Sequence, residues 1–156
     1  MDATTTPSTT SLIAKLTCDF PAITFTSGDI FRWSPGEHTI YYAHPTDAAS
    51  LLHEVAHMAL GHAEYVFDIE LLQMERDAWA HTINTLAPHY GIPLQEEQID
   101  ALLDTYRDWL HDRSLCPTCK ATGIQTAIRR YNCLTCHTSW KVNEARTCSL
   151  RRYKLK

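Results

Sequence analysis

The feature that most constrains this chain is residues 51–62, which read Leu-Leu-His-Glu-Val-Ala-His-Met-Ala-Leu-Gly-His. Because His53 and His57 are four residues apart, both imidazoles lie on one face of a helix, where they can hold one metal ion. Glu54 follows the first histidine, so its carboxylate can act on a nearby water without being a ligand. The other residues are mostly apolar, which predicts a buried helix over residues 47–60 that ends at the glycine. The alternative interpretation is a half-exposed helix with ordinary polar residues.

The HExxH spacing is typical of zinc peptidases, in which the glutamate is the general base and a third protein ligand completes the site. Three candidates for that ligand lie downstream: His62, Glu70 and Glu75. We favour Glu75, on a second helix predicted over residues 66–87, because the small Ala78 allows close approach of the two helices. Asp77 is a candidate partner for a ligating histidine. The alternative for Glu75 is a solvated glutamate, the commonest situation for this residue type.

The six cysteines include two Cys-x-x-Cys pairs, Cys116-Pro-Thr-Cys119 and Cys133-Leu-Thr-Cys136, separated by thirteen residues. This spacing predicts a zinc ribbon, in which four thiolates close a tetrahedral structural site. Such a small unit needs its metal to fold. Free or redox-active thiol pairs are the alternatives. His137 is not needed as a ligand, and Cys18 and Cys148 are expected to be unpaired.

Charge is distributed unevenly along the chain. Residues 1–112 carry 4 Lys/Arg and 17 Asp/Glu, whereas residues 113–156 carry 10 Lys/Arg and the single Glu144. The basic segment has aromatic residues among its cations, in Arg129-Arg130-Tyr131, Trp140-Lys141 and Arg151-Arg152-Tyr153-Lys154. Such a pattern favours contact with the phosphates and stacked bases of nucleic acid, as in single-strand binders. The alternatives are docking on the acidic part of the same chain and binding of an acidic protein partner.

The remaining sequence predicts an α+β fold. Residues 1–10 are expected to be a disordered tail, and residues 11–112 a metallopeptidase domain with a small antiparallel sheet, zincin-type active-site helices and a third helix over residues 93–112. Predicted strands cover residues 22–26, 30–33 and 39–43. The last is expected to be either a free edge that can pair with an extended peptide or a covered edge strand. Residues 113–156 form the ribbon. The chain lacks both an apolar run long enough to span a membrane and a signal peptide, which predicts a cytoplasmic protein without membrane contact.

Two stretches occur together, Tyr-Tyr-Ala-His-Pro-Thr-Asp-Ala-Ala-Ser-Leu-Leu-His-Glu-Val-Ala-His-Met-Ala-Leu-Gly-His at residues 41–62 and Met-Glu-Arg-Asp-Ala-Trp-Ala at residues 74–80. In these the chain resembles the ImmA/IrrE family of zinc metallopeptidases, which carry a strand, HExxH and a helix with a Glu-x-x-Ala motif. The resemblance implies a gluzincin-like core with ligands His53, His57 and Glu75, and Glu54 as catalytic base. It also implies substrates such as helix-turn-helix repressors.

The chain departs from that family by ending in the basic cysteine-rich segment. A metallopeptidase followed by a zinc ribbon is also similar to the SprT-like proteases linked to DNA, although the third-ligand pattern fits ImmA/IrrE better. We therefore expect a zinc endopeptidase with one catalytic and one structural zinc, acting on a DNA-binding or DNA-associated protein. The alternative is a non-catalytic zinc-binding module for nucleic acid or protein. Candidates for the oxyanion-stabilising residue are Tyr65, Tyr90 and His89.

Overall fold

A computed structural model of the chain describes residues 9–144, 146 and 148–156. The fold is mixed α+β, with helices and two small sheets. The chain divides into two compact units, the first from residues 1–63 and 76–96 and the second from residues 64–75 and 97–156. Residues 1–8 of the predicted tail lie outside the described residues, and Thr9 and Thr10 belong to the first helix, α1 (Thr9–Asp19). None of the helices in the described ranges has the length and apolar character needed to cross a membrane.

The first sheet is mixed rather than antiparallel as predicted. Its strands are β1 (Thr24–Ser27), β2 (Arg32–Ser34) and β3 (Thr39–Tyr42), in the order β1-β3-β2. β2 pairs with β3 antiparallel across a short 3-10 turn, whereas β1 pairs with β3 in parallel. β3 is central because it carries the buried residues Thr39 and Ile40, so both more exposed strands pair with it. The predicted free edge of the last strand is therefore wrong, since β3 is paired on both sides.

The helix α2 (Ala48–Ala59) is capped at its N-terminus by Asp47, whose carboxylate accepts hydrogen bonds from the Ala49 and Ser50 N–H groups. This satisfies donors that the first turn leaves without helical partners. Its apolar face enters the core of the first unit, where the fully buried residues include Leu12, Leu16, Ile40, Leu51, Leu52, Val55 and Ala56. α2 is thus held firmly along the length that carries both histidines.

The predicted helix over residues 66–87 is interrupted. It begins as α3 (Asp68–His81), widens into a π-helical turn (Thr82–Leu86) and continues as the short α4 (Ala87–Tyr90), which ends at Gly91 with a left-handed φ of 68°. Proline has no N–H to donate, so it is tolerated at the first turn of a helix. Pro88 accordingly begins a new helical segment instead of closing the preceding helix.

The second unit contains α5 (Glu96–Ser114), which extends across the predicted boundary at residues 112 and 113. Its antiparallel sheet runs in chain order through β4 (Ile124–Ala127), β5 (Arg130–Asn132), β6 (Ser139–Val142) and β7 (Arg152–Lys154). A small core lies on one side of the sheet, formed by Cys116, Tyr131, Cys133, Trp140 and Val142. Gly123 is buried against it, because a Cβ there would lie 2.4 Å from the Trp140 ring.

The buried carboxylate of Asp68 anchors the sheet and α5 within the second unit. It accepts a hydrogen bond from Arg113 Nε at 2.6 Å and one from the Tyr131 hydroxyl. Arg113 also donates to the Asn143 and Glu144 carbonyls at 2.5 and 2.8 Å. The Trp140 indole N–H completes the junction by donating to the Arg113 carbonyl at 3.1 Å. These partners compensate for the cost of burying an ion pair.

Candidate metal centres

The two histidines of α2 lie on the same face, as their spacing predicts. Both are buried, and their Nε2 atoms are 3.0 Å apart. Two nitrogens on a tetrahedral zinc ion, each about 2.05 Å from it, would be about 3.3 Å apart. The pair therefore fits a shared metal ion after a small adjustment of the rings.

The third candidate side chain, Glu75, lies on α3. Trp79, one turn further along that helix, stacks on the His53 ring with the centroids 4.1 Å apart. Glu75 is itself buried, and one ligand atom from each of His53, His57 and Glu75 lies within 4.8 Å of the others. Two imidazoles and a carboxylate form a donor set that zinc accepts in sites with an open fourth position.

The other two candidates for third ligand do different work. His62 Nδ1 lies 2.9 Å from His57 Nδ1, on the side of that ring away from Nε2. Gly61 makes this contact geometrically accessible, because its left-handed φ of 69° turns the chain back at the end of α2. Glu70 instead accepts the Val66 and Phe67 N–H groups at 2.8 and 2.9 Å, and these bonds lower its pKa. It caps the start of α3.

Asp77 has a different partner from the ligating histidine that the sequence predicts. Its side chain is exposed and forms an ion pair with Arg76 at 2.9 Å. Support for the histidines comes instead from His62, which contacts His57 through the ring nitrogen that a metal would not use. Such a bond fixes the orientation and tautomer of a ligating imidazole.

Glu54 is held by the sheet. Its Oε2 accepts a hydrogen bond from the Trp33 backbone N–H of β2 at 2.7 Å. The Trp33 indole also donates to the His62 carbonyl at 3.1 Å, which ties the same strand to the end of α2. β2 therefore fixes the carboxylate beside the histidine pair.

One residue near Glu75 is not indicated by any pattern in the sequence. The Tyr106 hydroxyl forms a hydrogen bond with Glu75, and burial together with that carboxylate raises the pKa of Tyr106. Arg146 donates to the same hydroxyl at 2.8 Å and lies over the ring at 4.7 Å. No local pattern in the sequence relates residues 75, 106 and 146, so only the tertiary fold identifies this chain of contacts.

The four cysteines of the two Cys-x-x-Cys motifs form a second cluster, in which the Sγ atoms all lie within 4.8 Å of one another. Sγ atoms of Cys116 and Cys136 are 3.6 Å apart, and those of Cys119 and Cys133 are 3.5 Å apart. These distances exceed the length of a disulfide bond and approach the roughly 3.8 Å between sulfurs on a tetrahedral zinc ion. The cluster fits a closed metal site.

The two cysteine pairs adopt matching turns. Lys120 and His137, each directly after the second cysteine of a pair, have φ values of 63° and 59°. Their N–H groups return to the carbonyls of Cys116 and Cys133 at 3.1 and 2.9 Å. His137 thus has a backbone role in closing the turn.

Backbone donors lower the pKa of two of the four cysteines. Burial tends to raise the pKa of Cys116, but N–H groups of Cys119 and Thr118 and the neighbouring thiols outweigh it and lower that pKa to about 6. The pKa of Cys133 is likewise lowered, chiefly by the Cys136 N–H. At Cys119 the Ala121 N–H acts in the same direction, but hydrogen bonds with the Cys136 and Cys133 thiols outweigh it and raise the pKa. Thiolates are the form that binds metal. Cys18 and Cys148 are free and exposed.

The predicted nucleic-acid footprint needs correction. Tyr131 and Trp140 are buried and stack on each other with their centroids 5.6 Å apart, so neither ring can stack on a base. Arg113 is buried with Asp68, and Arg152 donates to the Asp112 carbonyl. Arg113 and Arg152 therefore bind groups of their own unit, the Asp68 carboxylate of α3 and the Asp112 backbone carbonyl of α5.

The three candidates for an oxyanion-stabilising residue have other contacts. Tyr90 donates to Asp19 at 2.6 Å, and His89 lies 4.0 Å from the same carboxylate. Burial and Asp68 raise the pKa of the half-exposed Tyr65. The hydrogen bond of Tyr90 helps to hold the end of α1.

Comparison of the chain with models of known protein families, with curated proteins and with solved structures gives no match. The site must therefore be interpreted from its own chemistry. That chemistry provides two clusters able to hold metal ions, one of His, His and Glu and one of four cysteines.

Proposed function

We propose that the protein is a zinc-dependent endopeptidase with a gluzincin-like site. The observation that carries this proposal is the grouping of His53, His57 and Glu75, with donor atoms within 4.8 Å of one another. A carboxylate that is not part of this set, Glu54, lies next to it in sequence and is oriented by β2. A structural metal site has no need for an additional oriented carboxylate, whereas hydrolysis needs a general base.

The division of labour among the residues follows from their chemistry. Zinc bound by the three ligands would supply Lewis acidity and lower the pKa of a water. Glu54 would accept a proton from the attacking water and return it to the leaving amine. The Trp33 N–H would hold the Glu54 carboxylate in a fixed orientation during both transfers. His62 would keep the Nε2 lone pair of His57 directed towards the ligand set.

The resemblance to ImmA/IrrE peptidases supports a substrate among DNA-binding regulators, such as a helix-turn-helix repressor. The four-cysteine cluster would hold a structural zinc, and the basic segment around it would recruit the enzyme to DNA or to a DNA-bound protein. The acidic balance of residues 1–112 and the basic balance of residues 113–156 support such a division of partners.

The test is proteolysis by the purified, zinc-loaded full chain, using itself and a helix-turn-helix repressor as substrates, with and without DNA. Glu54→Gln should retain two zinc ions and lose cleavage. Glu64→Gln, the same change at an exposed position nearby, should retain both properties. Cleavage by Glu54→Gln at the wild-type rate would refute the mechanism. Absence of cleavage in the wild-type protein with every substrate would favour the non-catalytic zinc module.

A further inference from the structure

The second sheet has two faces of different character. Side chains alternate between the faces of a strand, so adjacent residues point in opposite directions. Tyr131 and Trp140 are paired across β5 and β6 and point into the core of the unit. Their neighbours Arg130 and Lys141, also paired across these strands, consequently belong to the opposite face.

This opposite face carries a continuous basic and aromatic row. Lys141 on β6 is paired in turn with Tyr153 on β7, so Arg130, Lys141 and Tyr153 lie side by side on three neighbouring strands. The ladder continues through a hydrogen bond from the Asn143 N–H to the Arg151 carbonyl. Arg151 is two residues from Tyr153, which places it on the same face. We call Arg130, Lys141, Arg151 and Tyr153 the basic row.

The cations of the basic row remain available for a ligand. Among the described residues, Arg130, Lys141 and Arg151 form no ion pair, and Arg130 and Arg151 are exposed. The only carboxylate side chain in residues 113–156 is that of Glu144, which lies 3.5 Å from Arg129. Unlike Arg113 and Arg152, these three cations are not used to hold the unit together.

We propose that the basic row is a binding surface for single-stranded DNA. Three uncompensated cations, one each on β5 and β6 and one directly before β7, suit a phosphate backbone, which supplies most of the affinity in such complexes. Tyr153 is 51% exposed and offers a ring for base stacking. A duplex hides the faces of its bases and an acidic peptide has none, so the exposed ring favours a single strand over both.

The inference rests on the proposed function, in which the ribbon recruits the enzyme to DNA, and this is the reason for choosing DNA over RNA. It concerns binding alone. A protein that binds DNA without cleaving any substrate would support the basic row and refute the peptidase, and a protease that does not bind DNA would give the opposite result.

The experiment is fluorescence anisotropy with a labelled twenty-residue deoxythymidine oligomer, using the zinc-loaded full chain. Replacing both Arg130 and Lys141 by Gln should weaken binding at least tenfold. The double variant should also reduce the slope of log affinity against log salt by about 1.4, the contribution of two single-strand phosphates. Arg107→Gln, which removes an exposed cation from α5, is the matched control and should change neither quantity.

Two variants of Tyr153 test the aromatic member of the basic row. Tyr153→Ala should weaken binding about tenfold, and Tyr153→Phe should bind as the wild type does, since stacking needs the ring and not the hydroxyl. Unchanged zinc content in every variant establishes that the ribbon is intact.

Three competitors complete the test: the matching duplex, a uridine RNA oligomer and polyglutamate. Single-stranded DNA is supported if all three compete more weakly than the unlabelled deoxythymidine oligomer does. Equal competition by any of them overturns that assignment. The basic row itself is overturned if the wild type does not bind the oligomer, or if Arg107→Gln weakens binding as much as the double variant does.

Discussion

The His57 imidazole has a neighbour at each of its nitrogens, His53 at Nε2 and His62 at Nδ1. For Nε2 to bind a metal it must carry a lone pair, which requires the proton of the neutral ring to be on Nδ1. His57 would then donate to His62 Nδ1. The orientation of the proposed ligand is thus set by a residue three positions beyond the end of α2.

This arrangement predicts different effects for the two histidines. His57→Ala should abolish zinc binding at the His/His/Glu cluster, because it removes a ligand. His62→Ala should leave zinc bound there but weaken its affinity about 10-fold to 100-fold, as expected for loss of an orienting partner. Competition with a chelating dye measures both. A His62→Ala protein that binds a single zinc ion under saturating conditions would make His62 a ligand and contradict this assignment.

Tyr106 gives a second prediction at this scale. Tyr106→Phe keeps the ring and removes the hydroxyl bonded to Glu75, so zinc affinity at the His/His/Glu cluster should fall about tenfold. The four-cysteine cluster should be unaffected. Tyr41→Phe is the matched control, because the Tyr41 hydroxyl also donates to a glutamate, Glu37, at an exposed position. Equal losses in both variants would argue against a positioning role for Tyr106.

The residue-scale features differ in how far sequence could predict them. His53, Glu54 and His57 are related by local helix periodicity, which the sequence displays directly. Tyr106 and Glu75 are thirty-one positions apart, and their contact depends on how two helices pack. A carboxylate and a phenol at that separation carry no signal in a single sequence.

At the scale of elements, the junction between α5 and the second sheet depends on Asp68. Asp68 is 2% exposed, and its carboxylate accepts hydrogen bonds from both Arg113 and Tyr131. A buried pair that loses one partner leaves the other charge without compensation, which is strongly destabilising. The junction should therefore be sensitive to this side chain.

Asp68→Asn should lower the free energy of unfolding by about 3–5 kcal/mol, because Arg113 would remain buried without its counter-charge. Asp104→Asn is the matched change, since Asp104 pairs with Arg107 at the same 2.6 Å but at the surface. That variant should cost less than about 1 kcal/mol. Urea unfolding followed by tryptophan fluorescence measures both. Similar losses would mean that burial does not govern the contribution of these pairs.

Sequence patterns anticipated the elements better than their pairing. Helical periodicity and turn residues indicated α2, α5 and the strands of the first sheet, but not the parallel pairing of β1 with β3, which depends on competition for the most buried strand. The prediction that Tyr131 and Trp140 contact nucleic acid is wrong, because it relied on their being next to cations in the sequence. In strands, neighbours in sequence face opposite sides, and so small a unit uses its few large aromatics for its core.

For the whole molecule, the two candidate metal sites differ in what they contribute. The four cysteines lie in and beside the small core of the second sheet, so metal there is coupled to folding. The histidine pair instead lies on α2, which a larger apolar core supports. Loss of metal at one cluster should therefore have a different structural consequence from loss at the other.

Cys133→Ser tests this separation. It removes a buried member of the cysteine cluster, so zinc content should fall from two ions to one and the order of the second sheet should be lost. The remaining zinc should be lost when His57→Ala is added and should be retained when further cysteines are replaced. Cys148→Ser, at a free and exposed cysteine, should keep both ions. Native mass spectrometry gives the stoichiometry, and amide exchange shows which strands lose protection. Two zinc ions in Cys133→Ser would exclude a four-cysteine site, and loss of both would mean that the clusters fold as one cooperative system.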